Sequence, residues 1–336
     1  MSKKFFVITK TPLRISFFGG GTDFEDFYKL DYGRVIATTI NKFIYVTVKN
    51  HDPLFNENFR LNYSETEKVT SLSKIQNNII RECLKLVKIK PPIYISVVSD
   101  IPSHTGLGSS SSLTVGLLNA LYSIKGIDKT PNELAKLACK IEIDKLKQPI
   151  GKQDQYISSN GGFAEYKFLK NNTIKIRKIS NKKILKKIFG NSTLVWTGKY
   201  REAKSILKDQ KLKIKKNLSK LQLLNQVSFE AITLILKKKF DLIKFCFLLD
   251  KGWHIKKNLS KKISSNADDL FYNACKKNGA IGGKLLGAGG GGFFFLVYNN
   301  LYRLKFLSFI KNFYTLRCLP YEKGTEVIYK EISKNN

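Results

Sequence analysis

The segment Ile101-Pro102-Ser103-His104-Thr105-Gly106-Leu107-Gly108-Ser109-Ser110-Ser111-Ser112 places two glycines and then a run of four serines ahead of an apolar run. Glycines here let successive backbone N–H groups face one side. A helix beginning at the serines adds free amides and a partial positive charge. That chemistry suits the phosphates of a nucleotide, and serine hydroxyls at the helix start suit Mg²⁺, which takes oxygen ligands. A Ser-rich cap on a buried helix is the plainer alternative, but one cap does not use four serines. Gly106, Leu107, Gly108, Ser109, Ser110 and Ser111 are therefore the candidate phosphate loop. A standard P-loop is excluded. No GxxxxGK[ST] occurs, and Gly282-Gly283-Lys284 runs into Leu285, which cannot ligand a metal. The glycine spacing does not fit a Rossmann loop either.

The flanking elements must hold this loop. Ile93–Ser99 alternates as a strand, and Leu113, Val115, Leu117, Leu118 and Leu121 mark a buried helix behind the serines. Thr130-Pro131-Asn132-Glu133 is a helix start with a capping box, followed by the stripe Leu134, Leu137, Ala138, Ile141. Ile8–Phe18 reads as a strand running into Gly19-Gly20-Gly21, and Arg34–Lys49 as one or two strands. Pro149–Gly162 is polar with a short helix inside. Further on come a strand at Thr173–Ile179, helices around Leu207–Lys239, Asp241–Lys251 and Asp268–Asn278, and a third glycine loop, Gly279–Gly292. A strand, Phe293–Tyr298, and a helical stretch, Leu301–Phe313, complete the pattern. Of the 23 glycines, 13 fall in the three loops. Such clustering implies positive φ or close backbone approach to a ligand.

A chain of 336 residues suggests two domains, 1–175 and 176–336. Its 43% hydrophobic content excludes a mainly disordered chain. The net charge of +33 invites a nucleic-acid reading. However, residues 167–262 carry 27 Lys and Arg against 5 Asp and Glu, strewn among Asn and Ile without aromatic interleaving. A compositional bias explains that better than a nucleic-acid face. Five scattered cysteines without a CxxC fit reduced thiols. No signal-peptide pattern or membrane-span-length apolar run is present, so a cytoplasmic location is expected.

The phosphate loop closely resembles the signature of the GHMP kinases, small-molecule kinases that include galactokinase and mevalonate kinase. Two more motifs agree in order and spacing. They are Thr11-Pro12-Leu13-Arg14-Ile15-Ser16-Phe17-Phe18-Gly19-Gly20-Gly21-Thr22-Asp23 and Lys284-Leu285-Leu286-Gly287-Ala288-Gly289-Gly290-Gly291-Gly292. Within the family, Gly19–Phe24, Asn41-Lys42, Arg60–Ser64 and Pro149–Tyr156 are most similar to kinases of D-glycero-D-manno-heptose 7-phosphate. The resemblance implies a two-domain α+β fold, S5-like then ferredoxin-like. It also implies ATP- and Mg²⁺-dependent phosphorylation of the sugar's anomeric hydroxyl, in the supply of nucleotide-activated heptose. A kinase for another sugar, such as fucose or galactose, stays open, and a basic nucleic-acid-binding protein is the alternative of another class. His104 stands where the family has a small residue.

The same resemblance implies residue roles. Asp154 matches the carboxylate that positions the acceptor hydroxyl and takes its proton. Arg14 lies near the reacting oxygens and offsets charge in the transition state. Glu142 would hold Mg²⁺ with Ser109 or Ser110, with Asp144 a near competitor. Gly20, Gly21, Thr22 and Asp23 would shape the sugar site, the glycines leaving room for a phosphorylated seven-carbon sugar. Lys42, Arg60, Arg201, Lys256 and Lys257 are candidate partners of the sugar's phosphate. The expected ligands are ATP and a sugar phosphate, with no nucleic acid or membrane, and a homodimer is allowed.

Overall fold

The computed structural model describes residues 4–200 and 203–333. Along the chain come β1 (Phe5–Phe18), α1 (Glu25–Tyr28), β2 (Gly33–Asn50), β3 (Phe59–Asn62), β4 (Thr66–Val69) and α2 (Asn78–Val87). Next are β5 (Ile93–Ser99), α3 (Ser109–Ile124), α4 (Pro131–Cys139), α5 (Gln153–Asn160), β6 (Phe163–Phe168) and β7 (Ile174–Lys178). Then follow α6 (Lys182–Gly190), β8 (Ser192–Trp196), α7 (Ala203–Leu212), α8 (Leu218–Ile235), α9 (Leu242–Lys257) and α10 (Asn266–Lys277). The last are β9 (Ala280–Leu285), β10 (Phe293–Tyr298), α11 (Arg303–Phe309), β11 (Thr315–Leu316), β12 (Pro320–Tyr321) and β13 (Glu326–Ile332).

The β-branched run Arg34–Lys49 forms one strand, β2, too long for a single neighbour. Its first part pairs with β6, its last part with β5, and β1 runs antiparallel along most of it. The larger sheet has the order β13-β1-β2-β5-β3-β4, with β6 and β7 branching from β2. The smaller has the order β11-β8-β10-β9. This mixed α+β architecture has the expected class. The start of β1 alternates between buried and partly exposed residues, but from Thr11 to Phe18 every residue is buried. That change reflects cover by α3, α5, α8 and α9, all of which pack on β1. The chain's end returns to the first sheet, where β13 pairs with β1.

Local signals hold where they are strong. Thr130 and Glu133 form the capping box that starts α4. The helical stretch expected around Leu207–Lys239 is instead two helices, α7 and α8. The break comes where Asn217 turns inward to donate to the Leu259 carbonyl (2.8 Å). The strands β3, β4 and β8 are additions to the elements expected from the sequence. Cys83, Cys139, Cys246 and Cys275 are buried, and the cysteines are free.

Candidate active site

A cavity of about 1040 Å³ is lined from both parts of the chain, by residues of the three glycine motifs and of α5, α7 and α9. Arg14 is among its lining residues. The pairing of β1 with β2 slips between Pro12 and Arg14 and again between Ser16 and Phe18, and such bulges re-aim side chains. The Arg14 guanidinium grips Asp154 with two parallel bonds, Nε to Oδ1 at 2.7 Å and Nη2 to Oδ2 at 2.6 Å. Its Nη1 donates to the Gly106 carbonyl (2.6 Å), and its backbone N–H donates to the Leu107 carbonyl (3.0 Å). One residue therefore ties the candidate base to the phosphate loop.

The loop enters α3 through Gly108, whose φ of 85° is left-handed. A Cβ there would also come within 3.2 Å of Arg14 Cγ, so glycine is needed for conformation and for space. The first bond back along α3 is Ser112 N–H to the Gly108 carbonyl (3.1 Å), which leaves the amides of Ser109, Ser110 and Ser111 without helical acceptors. His104, the departure from the family pattern, has φ of 64° and lines the cavity. Histidine is one of the few non-glycine residue types enriched in that left-handed region. The third loop packs against the second, with Phe293 N–H donating to the Thr105 carbonyl (3.2 Å).

After α4 the chain makes a π-helical turn over Lys140–Lys145, in which Leu146 N–H reaches back five residues to the Ile141 carbonyl (2.9 Å). This turn carries Glu142, which is fully buried. Its carboxylate accepts from Ser110 Oγ (2.8 Å) and from Gln155 Nε2 (2.7 Å). Burial pushes its pKa up to about 7, and the nearby Asp154 charge adds to the rise. Asp144 is exposed and does not line the cavity. A desolvated carboxylate bonded to a serine hydroxyl at the mouth of a phosphate loop fits Mg²⁺, which is usually held by one or two carboxylates plus phosphate oxygens.

In the first loop, Asp23 is buried and its pKa is raised by burial. Its Oδ1 accepts from Gly21 N–H (3.0 Å) and Gln153 Nε2 (3.1 Å), and its Oδ2 accepts from Gln153 N–H (3.1 Å). At Gly151 a Cβ would lie 2.0 Å from Asp23 Oδ2, so the first loop and the Asp154 segment meet only because that residue is glycine. Gly20 and Gly21 line the cavity, whereas Thr22 is spent on the loop itself. Its Oγ1 donates to the Gly19 carbonyl (2.8 Å) and accepts from Arg34 N–H (3.0 Å).

The candidate cations separate. Lys256 lines the cavity and donates to the Gly287 carbonyl. Arg60 pairs with Glu57 (3.6 Å) and Lys257 with Asp269 (3.0 Å), while Lys42 lies on β2, and none of these three lines the cavity. Arg201 lies outside the described residues. The cavity also presents Gln153, Lys204, Gln210 and Lys284, which the sequence did not single out for binding. Gln153 and Lys284 stand inside the quoted motifs, so a reading of every polar motif position could have found them.

Two sequence-family models match the chain. The GHMP kinases N terminal domain matches residues 77–162, and the GHMP kinases C terminal matches 236–314. The D-glycero-alpha-D-manno-heptose 7-phosphate kinase of Campylobacter jejuni is 31% identical over 297 residues, covering 84% of this chain and 86% of that one. The chain belongs to the GHMP kinase family. Galactokinase of Pyrococcus furiosus is 27% identical over 318 residues, covering 84% of this GHMP kinase and 86% of its own length. Among solved structures, a D-glycero-D-manno-heptose 1-phosphate kinase from B. thetaiotaomicron superposes with a TM-score of 0.79 at 22% identity. That match covers 96% of this chain and 99% of the other. The protein is accordingly an ATP-dependent kinase that phosphorylates a hydroxyl group. No helix among the described residues is long and apolar enough to cross a membrane.

Proposed function

We propose that this GHMP kinase transfers the γ-phosphoryl of ATP to the anomeric hydroxyl of D-glycero-D-manno-heptose 7-phosphate, giving the 1,7-bisphosphate. The observation that carries the reading is Arg14 joined at once to Asp154 and to the phosphate loop. That contact sets the candidate base against the place where the γ-phosphate must lie. The amides of Ser109, Ser110 and Ser111 hold the nucleotide's phosphates. Ile44, Ile79, Val97 and Ile101 give the cavity an apolar wall suited to the nucleobase. Gly20, Gly21 and Asp23 bound the sugar, with Asp23 held still by Gln153.

In the transfer step the acceptor oxygen bonds to the γ-phosphorus, the bond to the β–γ bridging oxygen breaks, ADP leaves, and the hydroxyl proton passes to Asp154. Arg14 offsets charge on the equatorial oxygens of a loose transition state. Glu142 and Ser110 would hold Mg²⁺, with Ser109 beside them. When bound, the ion would supply charge neutralisation for the nucleotide's phosphates. The 31% identity to a heptose 7-phosphate kinase favours that sugar over fucose or galactose. A panel of these sugars and sugar phosphates, each with MgATP, tests the assignment by ADP release. Turnover on the heptose phosphate at least tenfold above the others is expected. Efficient turnover of an unphosphorylated sugar with none on the heptose phosphate would overturn it.

A further inference from the structure

Lys284 lies in the cavity wall. It is on β9, at the head of the third glycine motif, and is only 5% exposed. Its ammonium donates to the Phe17 carbonyl (2.9 Å), at the end of β1 where the first glycine loop begins. It forms no ion pair among the described residues. Three further cationic side chains line the same cavity: Lys204 on α7, Lys256 and Arg14. Lys256 comes from the last turn of α9, where a Cβ at Gly20 would lie 3.8 Å from its Nζ, and Arg14 comes from β1.

We propose that Lys284 and Lys256, backed by Arg14, form a cradle for a phosphoryl group on the acceptor side of the cavity. A buried ammonium beside two like charges is costly to keep. Burial pushes Lys284 well below its ordinary pKa, and Lys256 and Arg14 push it further. A neutral donor such as an amide could serve the bond to Phe17 without that cost. Positive charge converging from three elements onto a desolvated wall is useful where an anion arrives. Two anions could take the place: the phosphoryl group in transit from ATP, or the phosphate already on the sugar. Lys256 stands beside Gly20 of the first glycine loop, the loop assigned above to the sugar. The inference rests on the kinase assignment and not on the choice of sugar.

Lys284→Gln keeps a donor near Phe17 and removes the charge, and Lys256→Gln removes the second cation from a different element. Calorimetry gives the binding of MgATP and, separately, of whichever acceptor the wild type turns over, alongside kcat and KM. If the cradle holds the sugar's phosphate, both variants bind the acceptor at least tenfold more weakly while MgATP binding stays within threefold. If it holds the transferring group, kcat falls at least tenfold while both binding constants stay within threefold. A thermal unfolding midpoint at or above that of the wild type separates either result from loss of fold. Should Lys284→Gln fail to fold, Lys256→Gln alone decides by the same criteria. Both binding constants and kcat within threefold of the wild type in the folded variants would overturn the proposal. A wrong sugar assignment would instead appear in the substrate panel and leave these comparisons intact.

Discussion

Both carboxylate oxygens of Asp154 are held by one guanidinium, so its position depends on charge as well as shape. In Asp154→Asn an amide N–H₂ must face an Arg14 donor, and the proton acceptor is lost. Turnover should fall about 10²- to 10⁴-fold, the usual contribution of a positioned general base. MgATP binding should stay within a few-fold, because the amides of Ser109–Ser111 are untouched. Single-turnover kinetics beside nucleotide titration checks this, and wild-type turnover would remove Asp154 from the mechanism. Glu142 makes a different prediction. Its carboxyl titrates near 7 in the folded protein against an ordinary value of 4.5. The unfolded chain therefore loses this proton first as pH rises, and between about 4.5 and 7 the group progressively destabilises the metal-free fold. Glu142→Gln should then be the more stable protein at pH 7 by something of the order of 2 kcal/mol. The gap should close as pH falls toward 4.5. Gln155 Oε1, buried with no hydrogen-bond partner among the described residues, can accept from the new amide after a side-chain flip. Chemical denaturation at several pH values in chelator reads the difference, and a variant less stable at pH 7 would contradict it.

Among the elements, β2 pairs with four other strands, β1, β5, β6 and β12, and its first half includes a buried ion pair that the chemistry does not use. Arg34 Nε lies 2.7 Å from Glu165 Oε1 on β6, with both side chains almost fully buried. Breaking such a pair typically costs 3–5 kcal/mol, because one charge is left uncompensated. Arg177 and Lys167 also approach Glu165, at 3.4 and 3.9 Å, and soften the loss. Arg34→Met should therefore destabilise by about 3 kcal/mol, the low end of that range. At a temperature where the variant is folded, kcat should be unchanged, since Arg34 does not line the cavity. A midpoint equal to the wild type's in urea would refute it. The glycine loop before α3 was legible because its conformation is local: Gly108 must be left-handed and the serines begin a helix. The π-helical turn was not legible, because Lys140–Lys145 reads as ordinary helix until packing with Ser110 and Gln155 fixes Glu142 inward.

For the molecule as a whole, 59 Lys and Arg against 26 Asp and Glu leave a net charge of +33, so more than half of the cations have no acidic counterpart. Self-repulsion then opposes the folded state at low ionic strength. Raising salt from about 10 to about 150 mM shortens the screening length from ~30 to ~8 Å. The unfolding midpoint should rise over that range, measured with a weakly interacting anion such as chloride. A falling midpoint would show that attractive pairs outweigh the repulsion. The sign of the charge was plain in the sequence. Which lysines face the ligand was not, because Lys42, Lys256, Lys257 and Lys284 are chemically identical until the fold sets Lys256 and Lys284 in the cavity wall and the others outside it.

The sequence by itself determined the features that short-range constraint dictates: the three glycine loops, the capping box of α4, the α+β class and the membership in a kinase family. Each depends on residue types whose backbone preferences act within a few positions. Tertiary structure alone decided the contacts that span the chain. Examples are Arg14 on Asp154 140 residues away, Lys284 on the Phe17 carbonyl 267 away, and the return of β13 to β1. Such contacts are set by how sheets and helices bury their apolar faces together, and no local pattern encodes the partner.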